Sequence, residues 1–190
     1  MNDSLQQLAL GKLPLVLVGE NEVLPVAPLL FSGSFNPLHE GHLGLLRAAE
    51  VVARRKGFFE LSLVNVDKPP LSTEEVERRL RHLQAVAPVV LTRAPTFIEK
   101  AELFPGAWFA LGFDTAIRLL SRSYHTDLPR MLARFQALEI RFVVAGRRHE
   151  NRFQTLEELR IPSGFESLFI PIPERAFRVD ISSTELRCSG

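Results

Sequence analysis

Ser32 to Leu46, SGSFNPLHEGHLGLL, joins two different structural patterns within a few residues, and the rest of the chain has to accommodate that junction. An apolar run from Ala27 to Phe31, broken only by Pro28, enters it and reads as a strand. Beyond it Leu45, Leu46, Ala49, Val52 and Ala53 repeat at the spacing of one helix face. His42 lies three and four residues before Leu45 and Leu46, so it extends the same inward stripe into the first turn. Pro37 biases Asn36 toward an extended conformation, which keeps the chain from coiling until it has left the strand. Gly33 and Gly41 let backbone approach a ligand where a side chain would intrude. The amides at this helix start offer an anion site, with His39 and His42 beside it. Read singly, a histidine on an apolar stripe is a packed core residue, and a glycine-bearing turn says little about phosphate. Here Gly33, Asn36, Pro37, His39, Gly41 and His42 share one ten-residue window.

The same alternation continues downstream. Phe58 to Val66, Val89 to Thr92, Ala107 to Leu111, Ile140 to Ala145 and Leu168 to Ile172 read as further strands, mostly apolar throughout. Ser72 and Glu75 have capping-box spacing, ahead of a helix that buries Val76, Leu80, Leu83 and Ala87 and leaves Arg78, Arg79 and Arg81 outside. Phe97 to Leu103 reads as a short helix closed by Pro105-Gly106. A helix from about Thr115 buries Ile117 and Leu120, and Asp127 caps another whose inner face is Leu128, Met131, Leu132, Phe135 and Leu138. Short apolar strands alternating with amphipathic helices predict an α/β domain: a Rossmann-like, doubly wound, mostly parallel sheet with helices on both faces. Ligands of such sheets sit beyond the C-terminal strand ends, where strand order reverses. The histidine turn, the Asp67-Lys68-Pro69-Pro70 loop, Gly112-Phe113-Asp114 and Gly146-Arg147 each follow a strand. Residues 1–26 are expected to form an N-terminal arm or hairpin, with strands at Leu13 to Val18 and Val23 to Val26, and residues 27–190 the main domain.

At 190 residues, 46% hydrophobic and 24% charged, the chain suits one well-buried domain. A net charge of +1 gives no pull toward nucleic acid or an anionic membrane. No apolar run approaches the roughly twenty residues that span a bilayer. The first residues lack the basic opening, apolar core and cleavage site of a secretory leader. The expected setting is the cytoplasm, and the single Cys188, which has no partner for an internal disulfide, agrees with it.

The HxGH sequence His39-Glu40-Gly41-His42 resembles the signature of the nucleotidylyltransferase superfamily, and its GSFNPLHEGHL setting looks most like the nicotinamide mononucleotide adenylyltransferase branch. A second stretch supports this. Ser182 and Glu185 have capping-box spacing, so a helix should begin near Ser183, with free amides, two hydroxyls and the planar fork of Arg187. ISSTELR resembles the ISSTxxR motif with which these adenylyltransferases hold the triphosphate of ATP. The resemblance implies catalytic roles for His39, His42, Arg187 and Lys68. It implies ATP contacts from Gly33, Ser34, Phe35, Gly41, Gly112, Asp114, Arg147, Ile181, Ser182, Ser183 and Thr184. Gly112-x-Asp114 matches the pair that meets the nucleotide ribose, and Arg147 an arginine found after the fifth strand. Arg93 to Leu120 resembles a divergent subgroup, without the Trp of the GxDxLxxLxxW pattern.

The implied reaction is attack by a mononucleotide's phosphate oxygen on the α-phosphorus of ATP, with release of pyrophosphate. That oxygen is ionised at neutral pH, so positioning and charge neutralisation suffice. The expected cofactor is Mg²⁺ carried by ATP, with no all-protein metal site. Zinc is disfavoured because the motif supplies no third ligand at metal-site spacing. The expected acceptor is NMN or nicotinate mononucleotide, with Trp108 and Phe113 as candidates for stacking on its base, although their place at strand ends favours core. Alternatives are phosphopantetheine adenylyltransferase, a cytidylyltransferase, and a regulatory module that binds nucleotide without turnover. Neither nucleic acid nor membrane is expected as a partner, and assembly into a homo-oligomer is left open.

Overall fold

Strands apolar at every position need cover on both faces, and the alternation of side chains along each strand divides the core in two. The structure, a computed structural model, describes residues 2–19, 22–66, 69–121, 127–149 and 152–177. Its central sheet contains β1 (Leu15–Val18), β2 (Leu29–Ser32), β3 (Gly57–Ser62), β4 (Val89–Thr92), β5 (Trp108–Gly112), β6 (Arg141–Ala145) and β9 (Phe169–Ile172). A short hairpin, β7 (Arg147–His149) and β8 (Arg152–Gln154), stands outside it. Leu29, Phe31, Phe59, Leu61, Val89 and Leu91 face α1 (Asn2–Ala9), α2 (Glu40–Ala53) and α3 (Thr73–Gln84). Leu30, Phe58, Val90, Phe109, Phe142 and Val144 face α4 (Phe97–Leu103), α5 (Phe113–Leu120) and α6 (Leu128–Ala137). Each fully buried Leu or Phe contributes about 1.5–3 kcal/mol, so the two layers hold the sheet from both sides.

The strand order is β1-β4-β3-β2-β5-β6-β9, and only β1 runs antiparallel. From β2 the chain winds outward through β3 to β4, then returns to the other side of β2 for β5, β6 and β9. The order therefore reverses between β2 and β5, and the C-terminal ends of those two strands border the crevice where such sheets take ligands.

One polar cluster interrupts the second layer. Glu60 on β3 and Lys100 on α4 are buried and paired at 2.8 Å, and Glu60 also accepts from the Thr92 hydroxyl at 2.6 Å. Lys100 donates to Glu60 Oε1 at 3.0 Å and to the Ala94 carbonyl at 2.6 Å.

Several expectations are corrected. Val23 to Val26 forms no strand. β1 pairs with β4 instead, covering the backbone groups of what would otherwise be the sheet's edge, while Val23 and Val26 stay exposed. α1 was not anticipated; Leu5 and Leu8 dock it on the first layer. α5 starts at Phe113, two residues early, so Phe113, Ala116 and Leu119 turn inward and Ile117 is 45% exposed. Arg79 is buried rather than solvated. The expected helix near Ser183, and Cys188, lie outside the described residues.

Candidate active site

α2 begins where the histidines are, and both rings are used to start it. His39 is the N-cap, with extended backbone at φ −147° and ψ 168°. Its Nδ1 accepts the Gly41 N–H at 3.1 Å, and the Nδ1 of His42 reaches back to accept the His39 N–H at 3.3 Å. The two imidazoles stack with centroids 3.8 Å apart. A ring whose Nδ1 accepts a backbone N–H carries its one proton on Nε2, which assigns the same tautomer to both. Burial, and next to it the charge of His39, pushes the His42 pKa down to about 3, and burial lowers that of His39 too. The cause is visible in the walls: Phe35 meets the His42 ring edge-on at 5.2 Å and Phe31 lies at 5.8 Å. At neutral pH the turn thus offers two uncharged imidazoles, each with an N–H on the ring edge away from the backbone. An imidazole of this tautomer can donate a hydrogen bond from Nε2, while its Nδ1 already accepts a backbone N–H.

The helix start is less open than its sequence suggests. The Gly41 amide is taken by the His39 ring and the His42 amide by the His39 carbonyl at 2.9 Å.

The turn from Gly33 to Pro37 is built around Phe35. That residue has φ +46° and is 3% exposed, its ring packed against Phe31 at 5.3 Å and Phe59 at 4.8 Å. Its side chain is core, so the expected ATP contact from Phe35 falls to its backbone. Gly33 donates to the Glu60 carbonyl at 3.2 Å, and a Cβ there would stand 2.9 Å from the Phe35 ring. Ser34 is exposed, with its carbonyl accepting from Arg79 Nη1 at 2.9 Å, and the Asn36 Oδ1 accepts from Arg78 Nη2 at 2.8 Å. Glu75 pairs with both arginines, at 2.7 Å to Arg78 and 2.6 Å to Arg79, and they hold its pKa down to about 2. The Ser72 hydroxyl caps α3 by accepting the Glu75 N–H at 3.3 Å, while the Glu75 carboxylate serves the arginines. Sequence reasoning missed this clasp; the spacing of Glu75, Arg78 and Arg79 by three and four residues was its only trace.

On the other side of the switch point, β5 ends in Gly112, the N-cap of α5, and a Cβ there would meet nothing within 4 Å. Asp114 in the first turn of α5 pairs with Arg147, the first residue of the β7–β8 hairpin. Gly146 lets that hairpin close, since its Cβ would collide with the Gln154 carbonyl and the Phe153 ring, both at 2.6 Å. The structure so divides the expected residues: Gly33, Ser34, His39, Gly41 and His42 after β2, and Gly112, Asp114 and Arg147 after β5 and β6. Trp108 and Phe113 are not base-stacking groups. Trp108 begins β5, at the opposite end of the sheet, under the Arg55 guanidinium at 4.8 Å, and Phe113 is 3% exposed in the core. Lys68, Ile181, Ser182, Ser183, Thr184 and Arg187 lie outside the described residues.

Among the described residues no group of three or more His, Cys, Asp or Glu could hold a metal ion. Nor is any described helix long and apolar enough to cross a membrane. Residues 30–189 match the family model described as cytidylyltransferase-like. No curated protein matches the chain significantly.

Proposed function

The chain belongs to the cytidylyltransferase-like family of nucleotidyltransferases, and from that premise we propose that it transfers AMP from ATP to the phosphate of NMN or nicotinate mononucleotide. An oxygen of the acceptor phosphate attacks the α-phosphorus, the bond from that phosphorus to the bridging oxygen breaks, and pyrophosphate leaves. The observation that carries this reading is the stacked pair His39 and His42, neutral and with Nε2–H donors, at the point where strand order reverses. Neutral donors suit a reaction whose nucleophile is already ionised and whose transition state gains charge on phosphate oxygens. Asp114 and the open space beside Gly112 suit a nucleoside on the β5 side.

In this reading Lys68, Arg187 and the backbone and hydroxyls of Ile181, Ser182, Ser183 and Thr184 hold the triphosphate. Mg²⁺, when bound, neutralises phosphate charge. Both histidines already spend Nδ1 on the helix start, and Asp114 is paired with Arg147, so the donors near the turn do not form a cage for it. Phosphate oxygens and water are its natural ligands there. The reaction is one of small free nucleotides, which suits the cytoplasm.

Pyrophosphate release measured with ATP or CTP against NMN, nicotinate mononucleotide and phosphopantetheine tests the proposal. The expected result is turnover with ATP and a nicotinamide-type mononucleotide. Faster turnover of phosphopantetheine or with CTP would leave nucleotidyl transfer standing and overturn the acceptor. Binding without pyrophosphate release from any pair would make the chain a nucleotide-sensing module.

A further inference from the structure

Two arginines of α3 are spent on the histidine turn, although neither belongs to that turn. Arg79 is 9% exposed, and its guanidinium is divided between one carboxylate and one carbonyl: Nε and Nη2 meet Glu75 at 2.7 and 2.6 Å, and Nη1 donates to Ser34 at 2.9 Å. A buried cation neutralised by Glu75 contributes little field to a ligand, but its planar fork fixes a direction. That direction sets the Ser34 carbonyl, and the next residue is Phe35. The Phe35 ring, held in the core at φ +46°, forms the edge-on wall of His42 at 5.2 Å. His42 in turn holds the His39 N–H at 3.3 Å. Arg78 repeats the tie from outside, joining Glu75 to Asn36.

We propose that Arg79 is a positioning residue for nucleotidyl transfer: with Glu75 it anchors the Ser34 carbonyl to α3 and so fixes the orientation of the His42 ring through Phe35. The proposal rests on the reading of His39 and His42 as phosphate donors, but its structural half can be measured without any turnover. A displacement of about 1 Å at a donor can cost as much as a hundredfold in rate.

The full chain, labelled with ¹⁵N in its histidine rings, is compared with Arg79→Ala, Arg79→Lys and Glu75→Gln, and with Arg81→Ala as the control on the exposed side of α3. In the parent the His42 ring nitrogens are expected to show a fixed Nε2–H tautomer. Arg79→Ala should move them toward the averaged shifts of exchanging tautomers, while Arg81→Ala leaves them in place. Turnover by Arg79→Ala should fall about 10- to 100-fold with the KM for nucleotide within about threefold, and Arg79→Lys should restore only part, because an ammonium cannot span Glu75 and Ser34 together. Glu75→Gln, which keeps the shape and removes the charge, supplies the same readout if Arg79→Ala does not fold. Unchanged ring signals in the folded variants, full rescue by lysine, or a loss confined to KM would each overturn the positioning role. A parent with the fixed tautomer and no transferase activity would overturn the functional reading and leave the clasp intact.

Discussion

The Nδ1 of His42 accepts the backbone N–H of His39 at 3.3 Å while the two rings stack 3.8 Å apart, so the protonation of the site and the integrity of the α2 start are linked. A proton added to either neutral ring must go to Nδ1, the atom that accepts the backbone hydrogen bond. Charging a ring therefore opens the cap, and for His42, walled by Phe31 and Phe35, it also buries a charge. Both costs favour the neutral pair.

Acid should destabilise the protein through this pair. His42 has a pKa of about 3 in the folded chain and the ordinary 6.5 when unfolded, so between those values the unfolded chain binds the extra proton. The stability is present in full above pH 6.5 and is lost as pH falls from 6.5 toward 3, at no more than about 1.4 kcal/mol per pH unit for this one proton. Urea midpoints from pH 8 to pH 4 measure it. His42→Asn, whose amide oxygen can accept the His39 N–H without titrating, should flatten that slope; an equal slope in the variant would assign the acid sensitivity elsewhere.

His42→Ala should cut turnover by about 10² to 10³, the scale for losing one preorganised donor to developing charge. Nucleotide affinity should change far less, because the donor acts on charge that appears in the transition state. Steady-state rates beside isothermal titration separate the two. Undiminished turnover in a folded variant would return His42 to the core.

Gly33→Ala should lower both stability and rate. The added methyl would sit 2.9 Å from the Phe35 ring, which is 3% exposed and packed against Phe31 and Phe59. Overpacking of this kind costs about 1–3 kcal/mol. The displaced ring is also the wall of His42, so a fall in turnover should accompany the lower melting temperature. Gly112→Ala makes the contrast, since its methyl meets no protein atom within 4 Å; it should leave the melting temperature nearly unchanged.

What could be read from the sequence was local. β4 and α4 fall on the expected Val89 to Thr92 and Phe97 to Leu103, because runs of β-branched residues and a Thr96 cap followed by Glu99 need no distant information. The histidine turn stood out for the same reason: its peculiar residues are consecutive. The missing parts depend on partners far along the chain. β1 is an edge strand only because β4 leaves an edge, and Arg79 is buried only because Ser34, 45 residues earlier, needs a donor. That the Phe35 ring is core could not be read from the motif, because its inward direction goes with a positive φ that only the folded turn shows. The phase of α5 slipped because Gly112, an N-cap with no capping side chain, starts the helix at Phe113, two residues before the expected Thr115.

Lys100 and Glu60 make a further, unrelated prediction about stability. Their side chains are 6% and 1% exposed, and each depends on the other's charge. Lys100→Met should cost about 3–5 kcal/mol by leaving a buried carboxylate unpaired. Adding Glu60→Gln should recover most of it, since the amide still accepts from Thr92 and carries no charge. Denaturant unfolding of the single and double variants decides this. A double variant no better than the single would mean that the loss does not come from the unpaired carboxylate, and would assign it to the bond from Lys100 to the Ala94 carbonyl.

Asp114 and Arg147 should behave in the opposite way, because their side chains are 58% and 40% exposed. An exposed ion pair contributes roughly 0–1 kcal/mol, so Asp114→Asn should leave the melting temperature almost unchanged. Its effect should appear in binding. If Asp114 meets the nucleotide ribose, replacing the carboxylate with an amide weakens a hydrogen bond to a charged group and should raise the nucleotide KM about tenfold, with kcat little altered. If instead Asp114 serves only to restrain Arg147, the freed guanidinium would attract the phosphates and KM would fall. Arg147→Ala separates the cases, for only in the second would it abolish the gain made by Asp114→Asn. A nucleotide KM within twofold of the parent in both variants would remove this pair from the site and leave the ligand to the β2 side of the crevice.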